Sequence, residues 1–327
     1  MSAIRVALIH DWLLGMRGGE RCLEVLCSMF PDAEIYTLFY DARGVSSCIS
    51  ERPVTASPLN RLPGVKRYYR GLLPLYPLAA AALGRSLARR HAERPYDLVI
   101  SVSHCAAKNV PTPAGVPHLC YCLTPVRYLW DQYQSYFAGR WYEPLVRMVA
   151  APLRRWDVRA GAQVTRYIGI SRYVSERIKR YYGRAAGVVY PPVRSDWIQP
   201  AAANSVGEGY LCVSALVPYK NVDLIIRAFT DPRSLAAGRT LTVVGSGPEG
   251  AKLRELAAGC SAIRFLERLT DAELAKLYRE SAALVFAAEE DFGMVPVEMQ
   301  AAGRPVICYR RGGALETVRE RETGIFF

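Results

Sequence analysis

Short apolar runs alternate with helical patterns along the whole chain, and this alternation limits the fold more than any other feature. IRVALI (4–9) reads as a buried strand. After it, HDWLLGMRGG reads as a loop with glycines at 15, 18 and 19, and ERCLEVLCSMF places Leu23, Leu26, Cys27 and Phe30 on one helical face. YDLVISVS (96–103), PHLCYCL (117–123), TRYIGI (165–170) and GVVY (187–190) read as further strands. Ser171 suits the N-cap of a helix RYVSERIKRYY that ends at Gly183.

The texture changes over 191–209, where PPVRSDWIQPAAANSVGEG is rich in Pro, Ser, Asn and Gly and reads as a linker, placed at 193–208. The alternation then restarts with YLCVSAL, a helix from about Asn221, LTVVG, a helix from about Glu249, and IRFLE. It continues with a helix from Asp271, ALVFAA, a helix from Pro296, PVICY and a last helix near 314–320. Strand-helix-strand repetition with short loops gives parallel sheets covered on both faces. The expected fold is α/β: two Rossmann-like, doubly wound domains, 1–192 and 209–327, facing one another across a cleft. Ligands in such sheets bind at the carboxyl ends of the strands, so the cleft is the expected site. The chain closes on TGIFF, a strand, where such a domain continues with more helix; the second domain is expected to be truncated at its carboxyl end.

Size and composition agree with this reading. A chain of 327 residues suits two cores, and 51% hydrophobic against 22% charged residues excludes a disordered class. No uninterrupted apolar run reaches the roughly 18 residues of a membrane span, and the start lacks the layout of a signal peptide. The nine cysteines form no C-x-x-C pair and the four histidines are scattered, which points to reduced core thiols, no metal site and a cytoplasmic location.

The net charge of +12 is unevenly placed. Residues 1–200 carry 27 Lys and Arg against 14 Asp and Glu, whereas residues 201–327 carry 15 against 16. The excess is densest over 52–94, with nine basic residues and one acid, Glu93. This is either a solvated basic surface or the face of an anionic partner: a membrane, a nucleic acid or a phosphorylated substrate.

Four stretches carry candidate chemistry. TLTVVGSGPEG contains G-x-G-x-x-G at Gly245, Gly247 and Gly250, with Glu267 at the end of the next strand. That spacing fits a dinucleotide fingerprint, and equally a tight strand-to-helix turn. RGGER puts Gly18 and Gly19 where a phosphate can approach backbone N–H groups at a helix start, or where the chain simply turns. SALVPYKN places Lys220 at a helix start, an unfavourable end for a cation unless a phosphate lies between them. EEDFGMVPVE holds Glu290 and Glu298 eight positions apart. Glu298 falls in the first turn of a helix, where the helix dipole favours a carboxylate, but Glu290 sits in a loop beside Glu289 and Asp291. Three crowded like charges suggest a polyhydroxy ligand or nearby cations.

The E-x7-E pair within EEDFGMVPVEMQAAGRPVI resembles the signature of retaining glycosyltransferases of family 4, which have the GT-B fold. RGGER, VPYK, VVGSGPE and GGALETV–TGIFF occur in the same order as in that family, so the resemblance spans essentially the whole chain. It is closest to bacterial mannosyltransferase-like members that build O-antigen or exopolysaccharide. It implies that Glu290 contacts hydroxyls of the donor sugar and that the backbone of Phe292, Gly293, Met294 and Val295 holds the sugar and diphosphate. It further implies that Glu298 binds the ribose, that Lys220 and the Gly18–Gly19 loop meet the diphosphate, and that transfer is metal-independent and retaining. No cofactor is implied beyond the donor, with GDP-mannose the leading expectation. Two positions depart from the pattern. Ala215 stands where many members have Arg, and Leu123 in YCLTP stands where many have a histidine near the reacting carbon. His104, after another strand, is the candidate to face the same cleft.

With the resemblance, the basic segment 52–94 is expected to meet an anionic membrane surface, bringing the protein to the inner face of the cytoplasmic membrane and to a lipid-linked saccharide acceptor. Charge alone would also allow nucleic acid, but no nucleic-acid module is visible and none is expected as a partner. The alternatives are a non-catalytic nucleotide-sugar-binding protein, motivated by Ala215 and Leu123, and a dinucleotide-dependent oxidoreductase using GSGPEG.

Overall fold

The computed structural model describes residues 4–327 except 138, 140, 142, 203 and 204. The chain divides into two compact units, Met1–Pro192 and Val193–Phe327. The amino-terminal unit is built on β1 (Val6–Leu13), β2 (Glu34–Tyr40), β3 (Val54–Ala56), β4 (Leu98–Ser103), β5 (His118–Cys122), β6 (Arg166–Gly169) and β7 (Ala186–Val188), in the order β3-β2-β1-β4-β5-β6-β7. The carboxy-terminal unit is built on β8 (Tyr210–Val213), β9 (Leu241–Val244), β10 (Ile263–Leu266), β11 (Ala283–Phe286), β12 (Val306–Cys308) and β13 (Gly324–Phe326), in the order β10-β9-β8-β11-β12-β13. Neighbouring strands in both sheets pair in parallel.

Parallel strands are covered by helices on both faces, so the central ones carry apolar residues at consecutive positions instead of alternating. All eight residues of β1 are buried, as are all four of β9 and β11. The amino-terminal unit accordingly has two apolar layers, one around Ile9, Phe39, Tyr76, Leu83 and Leu153 and another around Leu8, Leu23, Ile35 and Val102. The carboxy-terminal unit has two as well, around Leu284, Met299 and Val306, and around Ile226, Val243 and Leu253. Among the described residues no helix is long and apolar enough to cross a membrane.

Helix ends follow local chemistry. Ser171 Oγ accepts the Val174 N–H at 3.0 Å and Gly183, with φ +63°, closes the helix Arg172–Tyr182. Thr270 and Glu273 form a reciprocal capping box at the start of Asp271–Glu280, with Thr270 N–H donating to Glu273 at 2.7 Å.

Four segments differ from the sequence reading. β1 does not stop at Ile9: His10, Trp12 and Leu13 pair with Thr37, Phe39 and Tyr40 of β2, so the first half of the expected loop is strand. A buried His-Asp pair inside a strand defeats an apolar-run criterion; His10 Nδ1 lies 3.0 Å from Trp12 O and the Asp11 carboxylate accepts backbone N–H groups as described below. Glu34–Tyr40 and Val54–Ala56 are strands lying outside the runs read from the sequence; in EIYTLFY the polar Thr37 is buried and donates to Phe39 O at 3.2 Å. Residues 193–208, read as linker, contribute Ile198 to the carboxy-terminal core, and Ala201 N–H donates to Ala302 O at 2.9 Å.

Each sheet contains one point where the winding reverses, between β1 and β4 in the first unit and between β8 and β11 in the second. Strand ends at such a point diverge and leave a crevice in which doubly wound sheets bind their ligands.

Candidate functional site

The segments that follow β8 and β11 carry Lys220, Glu290 and Glu298 to the reversal point of the carboxy-terminal sheet. After β8 the chain makes a short 3-10 turn, Pro218–Lys220, and enters the helix Val222–Thr230. Asn221 joins the two with φ +52°, and its side-chain amide donates to Ala287 O at 3.0 Å, which ties the lysine turn to the chain leaving β11. The Lys220 ammonium forms an ion pair with the Glu290 carboxylate. Both side chains are largely buried, at 14% and 15% exposed, so the pair is less screened than one on the surface.

The 290–292 loop rests on a glycine pair that follows β12. Gly313 N–H donates to Glu290 O at 2.8 Å. A Cβ at Gly312 would lie 2.4 Å from that same oxygen, and one at Gly313 would lie 2.4 Å from the Phe292 Cα. The loop ends at Gly293, whose φ of +85° turns the chain into the helix Met294–Ala301. The Met294 and Val295 amides therefore lie in the opening turn, before the intrahelical ladder begins, and Pro296 occupies a position where its missing N–H costs nothing. Phe292 is buried beside them at 7% exposed.

Glu298, half-buried on this helix, accepts the Tyr278 hydroxyl at 2.8 Å. Burial raises its pKa above the usual carboxyl range, and the tyrosine bond offsets this in part. Glu290 and Glu298 thus hold separate partners, a cation and a phenol, and do not share a proton as an acid/base pair would.

The glycine fingerprint has a packing explanation. Cβ atoms at Gly245 and Gly247 would come within 1.9 Å of Ser214 O and 2.3 Å of Leu216 O, so these glycines let the turn after β9 lie on the chain leaving β8. Glu267, the acid at ribose-binding spacing, pairs with Arg254 at 2.5 Å. The fingerprint is explained without a dinucleotide.

In the amino-terminal unit, Gly18 opens the helix Gly18–Met29. Glu20, itself buried, accepts the Arg17 N–H at 3.1 Å, so an anion approaching the glycines would share the helix end with a carboxylate. A Cβ at Gly19 would meet Leu123 Cδ1 at 2.8 Å and His10 Nε2 at 3.4 Å, which places Leu123 directly beneath the glycine loop. His104 follows β4, with Nδ1 3.1 Å from Asp11 Oδ2 and its ring set edge-on to Trp12 at 4.3 Å. The Trp12 ring also meets Tyr69 at 5.1 Å, and the Arg70 guanidinium lies 5.4 Å from the Tyr69 ring centre. Of the other histidines, His118 is a core residue bonded to Ser101 Oγ at 2.8 Å, with its pKa lowered by burial to about 4, and His91 accepts the Tyr96 N–H at 2.9 Å.

The structure therefore gathers Lys220, Glu290, Phe292, Gly293, Met294, Val295 and Glu298 at one end of one sheet, and Gly18, Gly19 and His104 at the corresponding end of the other. Sequence reading missed Tyr278, whose hydroxyl has no periodicity to reveal it, and Asp11, whose charge directly after IRVALI was a usable signal. It also assigned no site role to Gly312 and Gly313, although consecutive glycines after PVICY mark a close backbone approach.

Comparison with known proteins places the fold. Residues 193–327 match the family described as glycosyl transferases group 1. A GDP-mannose-dependent alpha-(1-6)-phosphatidylinositol monomannoside mannosyltransferase of Mycobacterium tuberculosis is 33% identical over 181 residues, 48% of this chain and 46% of that protein. A D-inositol 3-phosphate glycosyltransferase of Streptomyces bingchenggensis is 33% identical over 188 residues, 49% of this chain and 41% of that protein. The chain thus matches about half the length of these curated relatives or less. Among solved structures, Anabaena Alr3699/HepE in complex with UDP superposes with a TM-score of 0.69 at 16% identity, over 99% of this chain and 85% of that one. WaaG, a glycosyltransferase involved in lipopolysaccharide biosynthesis, gives 0.66 at 16% identity over 98% and 85%. The fold is that of the GT-B glycosyltransferases, two Rossmann-like parallel sheets with their helices.

Proposed function

We propose that this chain is a retaining, metal-independent hexosyltransferase of family 4. It transfers mannose from GDP-mannose to a lipid-linked oligosaccharide or polysaccharide precursor of the O-antigen or exopolysaccharide type. The observation that carries this reading is the arrangement at the β8/β11 reversal point, within the stretch that matches the group 1 family: Lys220 paired with Glu290 beside a Gly293-capped helix start, and Glu298 bonded to Tyr278 on that helix. Each group answers one part of a nucleotide-sugar. Glu290, a carboxylate with several acceptor positions, can accept from sugar hydroxyls while keeping Lys220. Lys220 and the amides of Met294 and Val295 oppose the negative charge that grows on the diphosphate as the glycosidic bond breaks. Glu298 accepts from ribose hydroxyls, which would satisfy a carboxylate whose burial is costly.

Mannose and a phosphoinositide-type lipid acceptor are favoured by the mycobacterial mannosyltransferases among the relatives. The UDP and UDP-glucose complexes of HepE are the observation that keeps a uridine donor in view. The position of the chain at the inner face of the cytoplasmic membrane rests on its exposed basic and apolar surface. Leu62, Tyr68, Leu75 and Leu78 are 38%, 44%, 40% and 68% exposed, and Arg61, Lys66, Arg67 and Arg70 are exposed among them. Such a surface suits anionic headgroups above an apolar interface.

A thermal-shift screen of GDP-, UDP- and ADP-sugars, followed by transfer from the best binder to a lipid-linked acceptor, tests the proposal. Stabilisation by one nucleotide class and loss of transfer in Glu290→Ala with the fold intact are expected. Wild-type turnover in that variant removes Glu290 from the reaction. Saturable nucleotide binding without transfer to any acceptor would favour a non-catalytic binder.

A further inference from the structure

Asp11 is an ionised carboxylate sealed inside the central strand of the amino-terminal sheet, at 0% exposed, and its two oxygens are fully engaged. Oδ2 accepts the backbone N–H of His104 at 2.6 Å and of Cys105 at 2.9 Å, and Oδ1 accepts those of Ala106 at 2.5 Å and Ala107 at 2.7 Å. Burial opposes ionisation, but the backbone N–H groups that converge on it outweigh this and hold the carboxyl below its usual range. The His104 ring then turns its Nδ1 to this carboxylate at 3.1 Å, while its side chain stays 24% exposed.

An ionised carboxylate can only accept. A bare nitrogen lone pair 3.1 Å from this charge would be repelled, which favours the hydrogen on Nδ1. Burial and the positive charges of Arg127, Arg17 and Arg70 disfavour a second proton on the ring, against the pull of Asp11. The ring is thus neutral, with Nδ1 as donor and Nε2 as acceptor, and its orientation is fixed by Asp11 on one side and by the edge-on contact with Trp12 at 4.3 Å. Capping the 104–107 turn requires Asp11 alone; it gives no reason for a partly exposed histidine directly after β4, beside the reversal point between β1 and β4.

We infer that Asp11 is a positioning residue that locks His104 in its Nδ1–H tautomer, so that Nε2 accepts a hydrogen bond from a hydroxyl of the saccharide bound at the β1/β4 reversal point. The tautomer rests on the 3.1 Å approach of Nδ1 to Asp11, and the identity of the hydroxyl rests on the transferase reading above.

The decisive measurement is a long-range proton–nitrogen correlation spectrum of the full chain labelled at histidine, near neutral pH, with His104 assigned through His104→Gln. Protonated Nδ1 and unprotonated Nε2 are expected; a proton on Nε2 overturns the inference, whether or not the protein transfers sugar. The second arm is a kinetic cycle. Asp11→Asn is expected to lower kcat by about tenfold or more, comparable to losing a hydrogen bond to a charged group, and to add nothing further in the His104→Gln background. Independent, multiplying losses overturn the positioning role. Should Asp11→Asn fail to fold because two of the four amides then face an NH2 group instead of an acceptor, or should no donor support transfer, the tautomer spectrum of the wild-type chain still decides.

Discussion

Lys220 and Glu290, separated by 70 residues in sequence, form a largely buried ion pair at the reversal point of the carboxy-terminal sheet. Each therefore already has an opposite charge beside it. A diphosphate that recruits the lysine must draw it away from Glu290 or share it. Replacing Glu290 by glutamine removes that competition. Glu290→Gln is expected to bind the bare nucleoside diphosphate more tightly, roughly threefold to tenfold, as releasing one partly screened ion pair would give, while sugar transfer is lost. Isothermal titration with GDP and UDP checks this. Unchanged or weaker binding would show that Lys220 does not serve the diphosphate.

Glu298 provides a pH signature. Its folded pKa is raised by burial, so between the ordinary glutamate range and the raised value the folded state holds a proton that the unfolded chain has released. Stability due to this group is present at low pH and declines as pH rises through that window. Glu298→Gln keeps an acceptor for the Tyr278 hydroxyl and has no carboxyl to ionise. The variant should melt higher than wild type at neutral pH, with the difference vanishing in acid, and should bind nucleotide less well. Melting curves across the glutamate range and upward are the check; parallel curves would contradict the burial argument.

Two glycine substitutions should behave differently. Gly312→Ala drives a Cβ to 2.4 Å from Glu290 O at a φ of +68°, with backbone as the obstacle. Gly19→Ala meets the end of a flexible side chain, Leu123 Cδ1, at 2.8 Å. The first is expected to destabilise the protein by about 1–3 kcal/mol and to displace the Glu290 loop, abolishing nucleotide binding. The second should fold normally, so any loss of activity in it reports on what approaches the glycine loop. Chemical denaturation of both variants measures the contrast, and equal costs would sink it.

The membrane surface can be divided by mutation. Arg90 pairs with Glu34 and Glu93, so part of its charge is engaged within the fold, whereas Arg67 and the exposed Leu75 and Leu78 face solvent. The helix Glu143–Gly161 packs on the same apolar layer as Tyr76–Glu93 and leaves Leu145 and Met148 64% and 74% exposed beside Arg147. Sedimentation with anionic vesicles should fall by several fold for Arg67→Glu with Leu78→Glu, and to a similar degree for Leu145→Glu with Met148→Glu. Neutral vesicles separate the electrostatic share from the apolar one. Binding indifferent to all four changes would leave this surface without a membrane role.

The alternation of apolar runs was sufficient to reveal two parallel sheets, because buried parallel strands carry consecutive apolar residues that no helix interrupts. The Glu290 to Glu298 stretch was legible as a loop running into a helix, but the helix begins at Met294, two residues before the expected Pro296, so Glu298 lies past the first turn and the helix dipole no longer accounts for it. What stayed hidden depends on distant partners. Nothing near Tyr278 in AELAKLYRE announces that its hydroxyl reaches Glu298 20 positions on. His10 and Asp11 read as the end of a strand because polarity usually marks a loop; four backbone amides from another strand's exit reverse that rule here. EIYTLFY escaped notice because its buried threonine interrupts the apolar run.

The pairing of β1 with β4 joins the first strand to one that ends at Ser103, and 93 residues separate Asp11 from His104. A chain emerging from the ribosome must wait for that length before the central seam of its first sheet can close, and contacts of such high sequence separation form slowly. Until then the Asp11 carboxylate has no amides to receive and stays hydrated. The His104 turn is thus among the later parts of the amino-terminal unit to be assembled, and a nascent chain arrested before Ser103 should lack it entirely.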